Sequence, residues 1–123
     1  MELIIKILIG FAIFVHLYTL WFQMFSWETS GKKVFKNFPD SYFKQSKKLA
    51  ANQGLYNGFL AAGLIWSLLN KNFSYQIAIF FLSCVIIAGI YGAYSTKKVK
   101  LFYIQSLPAI VALIVTLLNL FKI

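Results

Sequence analysis

Four long apolar stretches dominate the pattern of hydrophobic and polar positions along the chain. They cover Leu3–Phe25, Leu49–Leu69, Phe73–Ser95 and Leu101–Phe121, and short polar segments separate them. A helix needs about 20 residues to cross a hydrocarbon core about 30 Å thick, and each stretch reaches that length. None of them alternates apolar and polar residues as the strands of a membrane barrel do. The pattern predicts an all-α protein, a four-helix transmembrane bundle that forms a single domain over residues 1–123.

The composition favours a membrane protein over a soluble one. Of the 123 residues, 60% are hydrophobic and only 12% are charged, against about 45–50% and about 25% in soluble domains. So few charged side chains would cover little of the water-facing surface of a soluble domain of this length. The single cysteine, Cys84, rules out a framework of disulfide bonds within the chain.

The charged residues lie mainly between the apolar stretches. All twelve basic residues are lysines, whereas nucleic-acid sites usually rely on arginine, so we expect no nucleic-acid partner. Nine of the lysines lie in segments 26–48 and 96–100, and only Lys71 lies between the second and third stretches. The positive-inside rule therefore places the loop 26–48 in the cytoplasm and the N- and C-termini on the outer side. The lysines also make membrane lipids an expected partner.

The first loop carries a pattern of its own. Pro39 is followed by a predicted helix that begins at Tyr42 and continues through Lys48 into the second stretch. Aromatic residues interleave with lysines in this loop, which is typical of a segment that lies on lipid headgroups. The plainer interpretation is that the loop only anchors the chain, and the sequence leaves both interpretations open.

Small residues recur at four-residue spacing in the second stretch and again in the third. The candidate helix-packing residues are Ala50, Gly54, Gly58, Ala62, Ala88 and Gly92. Small side chains let membrane helices approach closely, and the second stretch contains the GxxxG pattern. We expect the second helix to be central and almost surrounded by protein. The spacing is explained equally by packing within one chain and by a homodimer.

Each predicted helix also carries polar side chains at membrane depth. The candidate ligand-binding residues are His16, Gln23, Asn52, Gln53, Asn57, Tyr91 and Gln105. They can line a neutral polar cavity, or they can hydrogen-bond between helices and contribute only about 0.6 kcal/mol each to packing. One histidine and one cysteine without a buried carboxylate do not provide a metal site, and no catalytic motif is present. We therefore expect no metal, no cofactor and no enzyme activity.

Five runs of residues form a further pattern that covers nearly the whole chain. They are His16-Leu-Tyr with Gln23-Met-Phe-Ser-Trp27, Gly31-Lys-Lys-Val-Phe35, the run from Leu49 to Leu64, the run from Cys84 to Gly92, and Gln105-Ser-Leu-Pro-Ala109. This pattern resembles a family of small bacterial integral membrane proteins, the domain of unknown function 1304 (DUF1304). The resemblance implies a four-helix protein of the bacterial cytoplasmic membrane whose activity is not established. Family members often carry a glutamate at the position of Gln23, so the resemblance does not imply proton-driven transport here.

Two hypotheses about function follow from these observations. In the first, the protein binds, and in a stronger version transports, a small amphipathic or lipid-like molecule in the neutral polar cavity. In the second, it is a structural or accessory subunit that docks a protein partner or anionic lipid through the GxxxG face and the lysine-rich loops. Both predict a multi-pass protein of the cell membrane.

Overall fold

The computed structural model describes residues 1–122, which form helices joined by short connections. The helices are α1 (Leu3–Phe25), α2 (Ser30–Val34), α3 (Asp40–Gln45), α4 (Lys47–Leu69), α5 (Ser74–Thr96), α6 (Val99–Leu101) and α7 (Leu107–Leu120), with a π-helical turn over Phe102–Ser106. No strand occurs among the described residues, and the all-α prediction is confirmed. Helix α6, the π-helical turn and α7 form one continuous helix, Val99–Leu120.

Three helices are long and apolar enough to cross a membrane, one fewer than the sequence pattern predicted. They are Leu3–Phe25, Ser74–Thr96 and Val99–Leu120. Helix α4 occupies the predicted position and has 23 residues. It begins, however, with Lys47 and Lys48, and it carries three amide side chains. These groups lower its hydropathy, so the prediction of a fourth apolar span is corrected for α4.

The predicted unbroken helix from the first loop into the second stretch is interrupted at Ser46. Helix α3 ends at Gln45, and α4 begins at Lys47. The Ser46 hydroxyl donates a hydrogen bond to the main-chain carbonyl of Tyr42 at 2.6 Å. It also accepts one from the indole Nε1–H of Trp27 at 2.9 Å. A serine that bonds back to its own helix often bends it, and here the bend separates two helices.

The chain forms two compact units, to each of which α1 and α4 contribute residues. The first unit comprises Met1–Val15 and the chain from Leu60 onward, and the second comprises His16–Phe59. Buried apolar side chains form the core of the first unit: Ile5, Ile9, Ala12, Leu64, Ala78, Leu82, Val85, Ala109 and Ala112. Within α1, α5 and α7 these residues recur every three or four positions, so each of these helices buries one stripe, while α4 contributes Leu64.

A π-helical turn precedes Pro108 in the last long helix of the first unit. The N–H of Leu107 donates to the carbonyl oxygen of Phe102, five residues earlier. Proline has no N–H, and its ring clashes with the carbonyl four residues before it, so a wider turn accommodates it. Ser106 lies in this turn, is fully buried, and donates a hydrogen bond to the main-chain carbonyl of Ile86 in α5 at 3.0 Å.

The second unit is organised around Trp27 and Phe43. The side chain of Phe43 is fully buried, and its ring centroid lies 5.5 Å from the ring centroid of Trp27. Trp27 also contacts the rings of Phe22 and Phe35, with centroid distances of 5.9 and 5.8 Å. Gly31 permits this packing, because a Cβ there would lie 3.2 Å from the ring of Phe43. The segment between α1 and α4 is therefore a folded part of the protein.

Helix α4 is not surrounded by protein in this chain, contrary to the prediction of a central helix. A helix surrounded by protein would bury its side chains on all sides, but those of Asn52, Gln53 and Tyr56 are exposed. Tyr56 has 60% of its surface accessible, and its ring lies against that of Phe59 on the same helix. The reason is geometric, because in the second unit α4 packs its small residues against α1 and leaves the opposite side uncovered.

Candidate functional site

Three of the predicted ligand-binding residues meet in the second unit as an amide cluster of Gln23, Gln53 and Asn57. The Nδ2 group of Asn57 donates to Oε1 of Gln23 at 2.9 Å and to the main-chain carbonyl of Gln53 at 3.0 Å. The Nε2 group of Gln23 donates to Oε1 of Gln53 at 3.4 Å. Among the described residues, Nε2 of Gln53 and Oδ1 of Asn57 form no hydrogen bond. The cluster therefore keeps a donor and an acceptor for another molecule.

Glycines on α4 allow the two helices to bring these amides together. A Cβ on Gly54 would lie 2.6 Å from Cγ of Met24, 3.1 Å from the carbonyl oxygen of Leu20 and 3.2 Å from Cβ of Gln23. A Cβ on Gly58 would lie 2.7 Å from Cδ1 of Leu20. A side chain at Gly54 would press on the main chain of α1 as well as on Met24, whereas one at Gly58 would displace the end of the Leu20 side chain. The small residues thus set the distance at which Gln23 reaches across to α4.

The other two small residues predicted on α4 differ in their surroundings. Ala50 is buried, with 6% of its surface accessible. Ala62 is exposed, and the neighbouring Gly63 is buried instead. A Cβ on Gly63 would overlap the ring of Phe81 in α5. The close approach on this half of α4 is therefore made one position later than the four-residue spacing suggested.

An open cleft of about 250 Å³ is lined in part by Met24, the residue that follows Gln23 of the amide cluster. We call it the Glu28–Lys47 cleft. Its lining consists of Met24, Phe25, Trp27, Glu28, Thr29 and Lys47. The Nζ of Lys47 lies 3.2 Å from Oε1 of Glu28, and the two side chains are 62% and 39% exposed. The cleft therefore combines one positive and one negative group with apolar and aromatic walls.

Two further predicted ligand-binding residues belong to the second unit but lie outside the amide cluster. His16 is buried, with 1% of its surface accessible. Asn52 is exposed one residue before Gln53. The hydrogen bonds within the amide cluster join only Gln23, Gln53 and Asn57.

The remaining predicted residues belong to the first unit. Tyr91 is 68% exposed, and its ring centroid lies 6.3 Å from that of Tyr94. Gln105 is half-buried beside Gly89, where an added Cβ would lie 3.1 Å from Cβ of Gln105. Ala88 is exposed, and a Cβ on Gly92 would meet no atom within 4 Å.

Gly89 makes the close helix approach in this part of the first unit, although the sequence pattern did not single it out. A Cβ on Gly89 would overlap the hydroxyl of Ser106. The structure buries Leu82, Val85 and Gly89 at spacings of three and four residues along α5, but in the sequence this stripe does not differ in polarity from the apolar residues that face lipid. The polar and small stripe through Ala88 instead pointed to the neighbouring face of the same helix.

Glu28 and Lys47 were also not predicted as partners. They lie at opposite ends of the first loop, just after α1 and at the start of α4. Their opposite charges were visible in the sequence, but their proximity depends on how the loop folds.

A second open cleft of about 430 Å³ lies in the first unit and includes Lys6, Ser67, Asn70 and Lys71 in its lining.

Comparison with known proteins places this geometry in a family. The chain is 30% identical over 115 residues to the uncharacterized protein YpaA of Lactococcus lactis subsp. lactis (strain IL1403), covering 93% of this chain and 94% of that protein. No solved structure matches the chain. A family model described as "Protein of unknown function (DUF1304)" matches residues 10–117, which confirms the resemblance seen in the sequence, and the chain belongs to this family.

Proposed function

We propose that this protein binds a small amphipathic or lipid-like molecule at the amide cluster and the adjoining Glu28–Lys47 cleft, within the bacterial cytoplasmic membrane. The amide cluster carries the proposal, because Gln23 links two amides of α4 while one donor and one acceptor stay available. Polar groups at membrane depth are costly unless they are paired or serve a ligand. Met24 directly follows Gln23 and lines the cleft, so the two features are neighbours along α1.

The chemistry of the cluster defines the part of the ligand that it would contact. All three side chains are neutral amides, which donate to and accept from hydroxyl, ester or amide groups. The neighbouring Met24 and Phe25 offer an apolar surface, and Phe25 is 72% exposed at the end of α1. An amphipathic molecule matches this combination of neutral polar and apolar groups.

The proposal includes a membrane arrangement in which α4 crosses together with the three more apolar helices. At 1.5 Å per residue its 23 residues span about 35 Å, enough for the hydrocarbon core. Two of its three amides hydrogen-bond to Gln23 of α1, which reduces their cost in the membrane. Four crossings put both termini on one side of the membrane, and the positive-inside rule then predicts the lysine-rich loop 26–48 in the cytoplasm and the termini outside.

The proposal predicts a bound molecule that depends on Asn57. Protein extracted gently from its own membrane is analysed by native mass spectrometry, and the bound molecule is released and identified. We expect a stoichiometric small molecule or lipid on the wild type, and its loss in Asn57→Leu, because the substitution removes the link to Gln23 and the available acceptor. Asn119→Leu, the same change on α7, should retain the molecule.

Two outcomes would contradict the proposal. One is wild-type protein that carries no small molecule, and the other is an Asn57→Leu variant that loses stability but keeps its ligand.

A bound polypeptide in place of a small molecule would favour an accessory subunit. For that alternative the lysine-rich loop is the better candidate surface, because Gly54 and Gly58 face α1 of the same chain.

A further inference from the structure

The ion pair in the Glu28–Lys47 cleft is weak enough to open for a ligand. Both side chains are partly exposed, and exposed ion pairs contribute about 0–1 kcal/mol to stability. Among the described residues, neither group has a second ion-pair partner. A ligand that carries a positive and a negative group can therefore replace this pair with two new ion pairs and leave no charge unpaired.

The walls of the cleft have the polarity of a membrane interface. Met24 and Phe25 belong to the last turn of the apolar helix α1, whereas Glu28 and Lys47 lie just beyond it in the loop and at the start of α4. The ring of Trp27 is held between these two regions by its hydrogen bond to Ser46. Tryptophan is enriched at the level of lipid headgroups in membrane proteins.

The size of the cleft limits the group that it can hold. A volume of 250 Å³ equals the space of about eight liquid water molecules, which leaves room for a group of the size of phosphoethanolamine. It is too small for a headgroup together with its acyl chains. The chains would continue along the exposed ring of Phe25 into the surrounding lipid.

We infer that the Glu28–Lys47 cleft binds the headgroup of a zwitterionic phospholipid of the phosphoethanolamine type. The ammonium group donates hydrogen bonds to the Glu28 carboxylate, and the phosphate accepts from the Lys47 ammonium. An anionic phosphoglycerol headgroup would satisfy Lys47 but would offer Glu28 only neutral hydroxyl donors, so no positive group would balance the carboxylate. This inference rests on the proposed function, since it names the ligand class of the same site.

The test compares two lipids of equal chain length, phosphatidylethanolamine and phosphatidylglycerol, supplied together in equal amounts to the delipidated full-length protein. Bound lipid is measured by native mass spectrometry at high ammonium acetate concentration, which screens the loop lysines. We expect the wild type to retain one phosphatidylethanolamine with a preference of about tenfold. In Glu28→Gln the preference should disappear, and in Lys47→Gln the retention of both lipids should fall.

Asp40→Asn is the matched control. It removes a carboxylate from another exposed pair of the same unit, Lys32 and Asp40, whose charged atoms lie 3.9 Å apart outside the cleft. We expect Asp40→Asn to keep the wild-type preference. Equal effects of Glu28→Gln and Asp40→Asn would indicate a general charge effect and overturn the inference.

Native mass spectrometry of the gently extracted protein, before delipidation, separates failure of this inference from failure of the proposed function. A non-zwitterionic molecule that is bound by the wild type and lost in Asn57→Leu would overturn the headgroup assignment and support the proposed function. Protein that retains neither added lipid nor any native molecule would overturn both.

Discussion

At the scale of single residues, close helix contacts in this protein depend on glycines. Atoms of a neighbouring helix occupy the space that a side chain at these positions would take. Gly89 of α5 is the clearest case, because the hydroxyl of Ser106 occupies the space that its Cβ would take. The same hydroxyl donates to the carbonyl of Ile86. In lipid, such packing and hydrogen bonding drive helix association, since burial of apolar surface gives little advantage there.

A double-mutant cycle tests the coupling between Gly89 and Ser106. We expect Gly89→Ala to destabilise the protein by about 1–3 kcal/mol through overpacking, and Ser106→Ala by about 0.6 kcal/mol through loss of one hydrogen bond. In the Ser106→Ala background the cost of Gly89→Ala should fall, because the nearest remaining atoms lie at 3.1 and 3.2 Å. The free energy of unfolding of all three variants is measured in mixed micelles with a denaturing detergent.

Gly92→Ala on the same helix is the control for that cycle. An added Cβ there meets no atom within 4 Å, so we expect no cost and a gain of up to about 1 kcal/mol from helix propensity. Additive effects of the Gly89 and Ser106 substitutions would contradict the coupling.

The same two glycines show why the inward face of α5 could not be predicted from sequence. Polar and small residues pointed to Ala88 and Gly92, whereas the structure buries Val85 and Gly89. In a soluble protein the apolar stripe would identify the inner face, but lipid is as apolar as a protein core. Hydropathy therefore predicted the helices and gave little information about their rotation. Gly54 and Gly58 were singled out because a glycine pair at this spacing is itself a packing pattern.

At the scale of helices, the connection between α1 and α4 is a small folded structure with its own core. Short helices α2 and α3 bring Phe35 and Phe43 onto Trp27, and Ser46 binds the indole of Trp27. The sequence showed the aromatic residues and lysines but not this core, because ring packing depends on contacts between distant positions. Its stability matters for the site, because this connection carries Glu28 and leads to Lys47.

Phe43→Ala should unfold this connection before the rest of the protein. Removing a fully buried phenylalanine costs about 3–5 kcal/mol, and α2 and α3 have few other buried side chains. We expect trypsin to cleave the variant much faster than the wild type after Lys33 and Lys36. Phe38→Ala, at a ring that is 46% exposed, should stay close to wild-type resistance. Equal resistance of both variants would show that Phe43 does not hold the connection together.

At the scale of the whole molecule, the polarity of α4 decides how many times the chain crosses the membrane. Three helices qualify as spans by length and composition, and α4 falls short because its amide side chains lower its hydropathy. An amide that is paired with a neighbouring helix is less costly in lipid than its hydropathy value suggests. Hydropathy summed over one helix therefore does not include the hydrogen bond between Asn57 and Gln23, which joins two helices.

Cysteine labelling of whole cells distinguishes four crossings from three. In a Cys84→Ala background, single cysteines replace the exposed residues Asn37, Asn72 and Lys100, and a membrane-impermeant maleimide is added before or after lysis. If α4 crosses, Asn72→Cys is labelled in intact cells, whereas Asn37→Cys and Lys100→Cys react only after lysis. If α4 stays on the cytoplasmic side, Asn72→Cys becomes protected and Lys100→Cys becomes accessible, because the direction of α5 reverses. We expect the first pattern, since it keeps nine of the loop lysines in the cytoplasm and leaves only Lys71 outside.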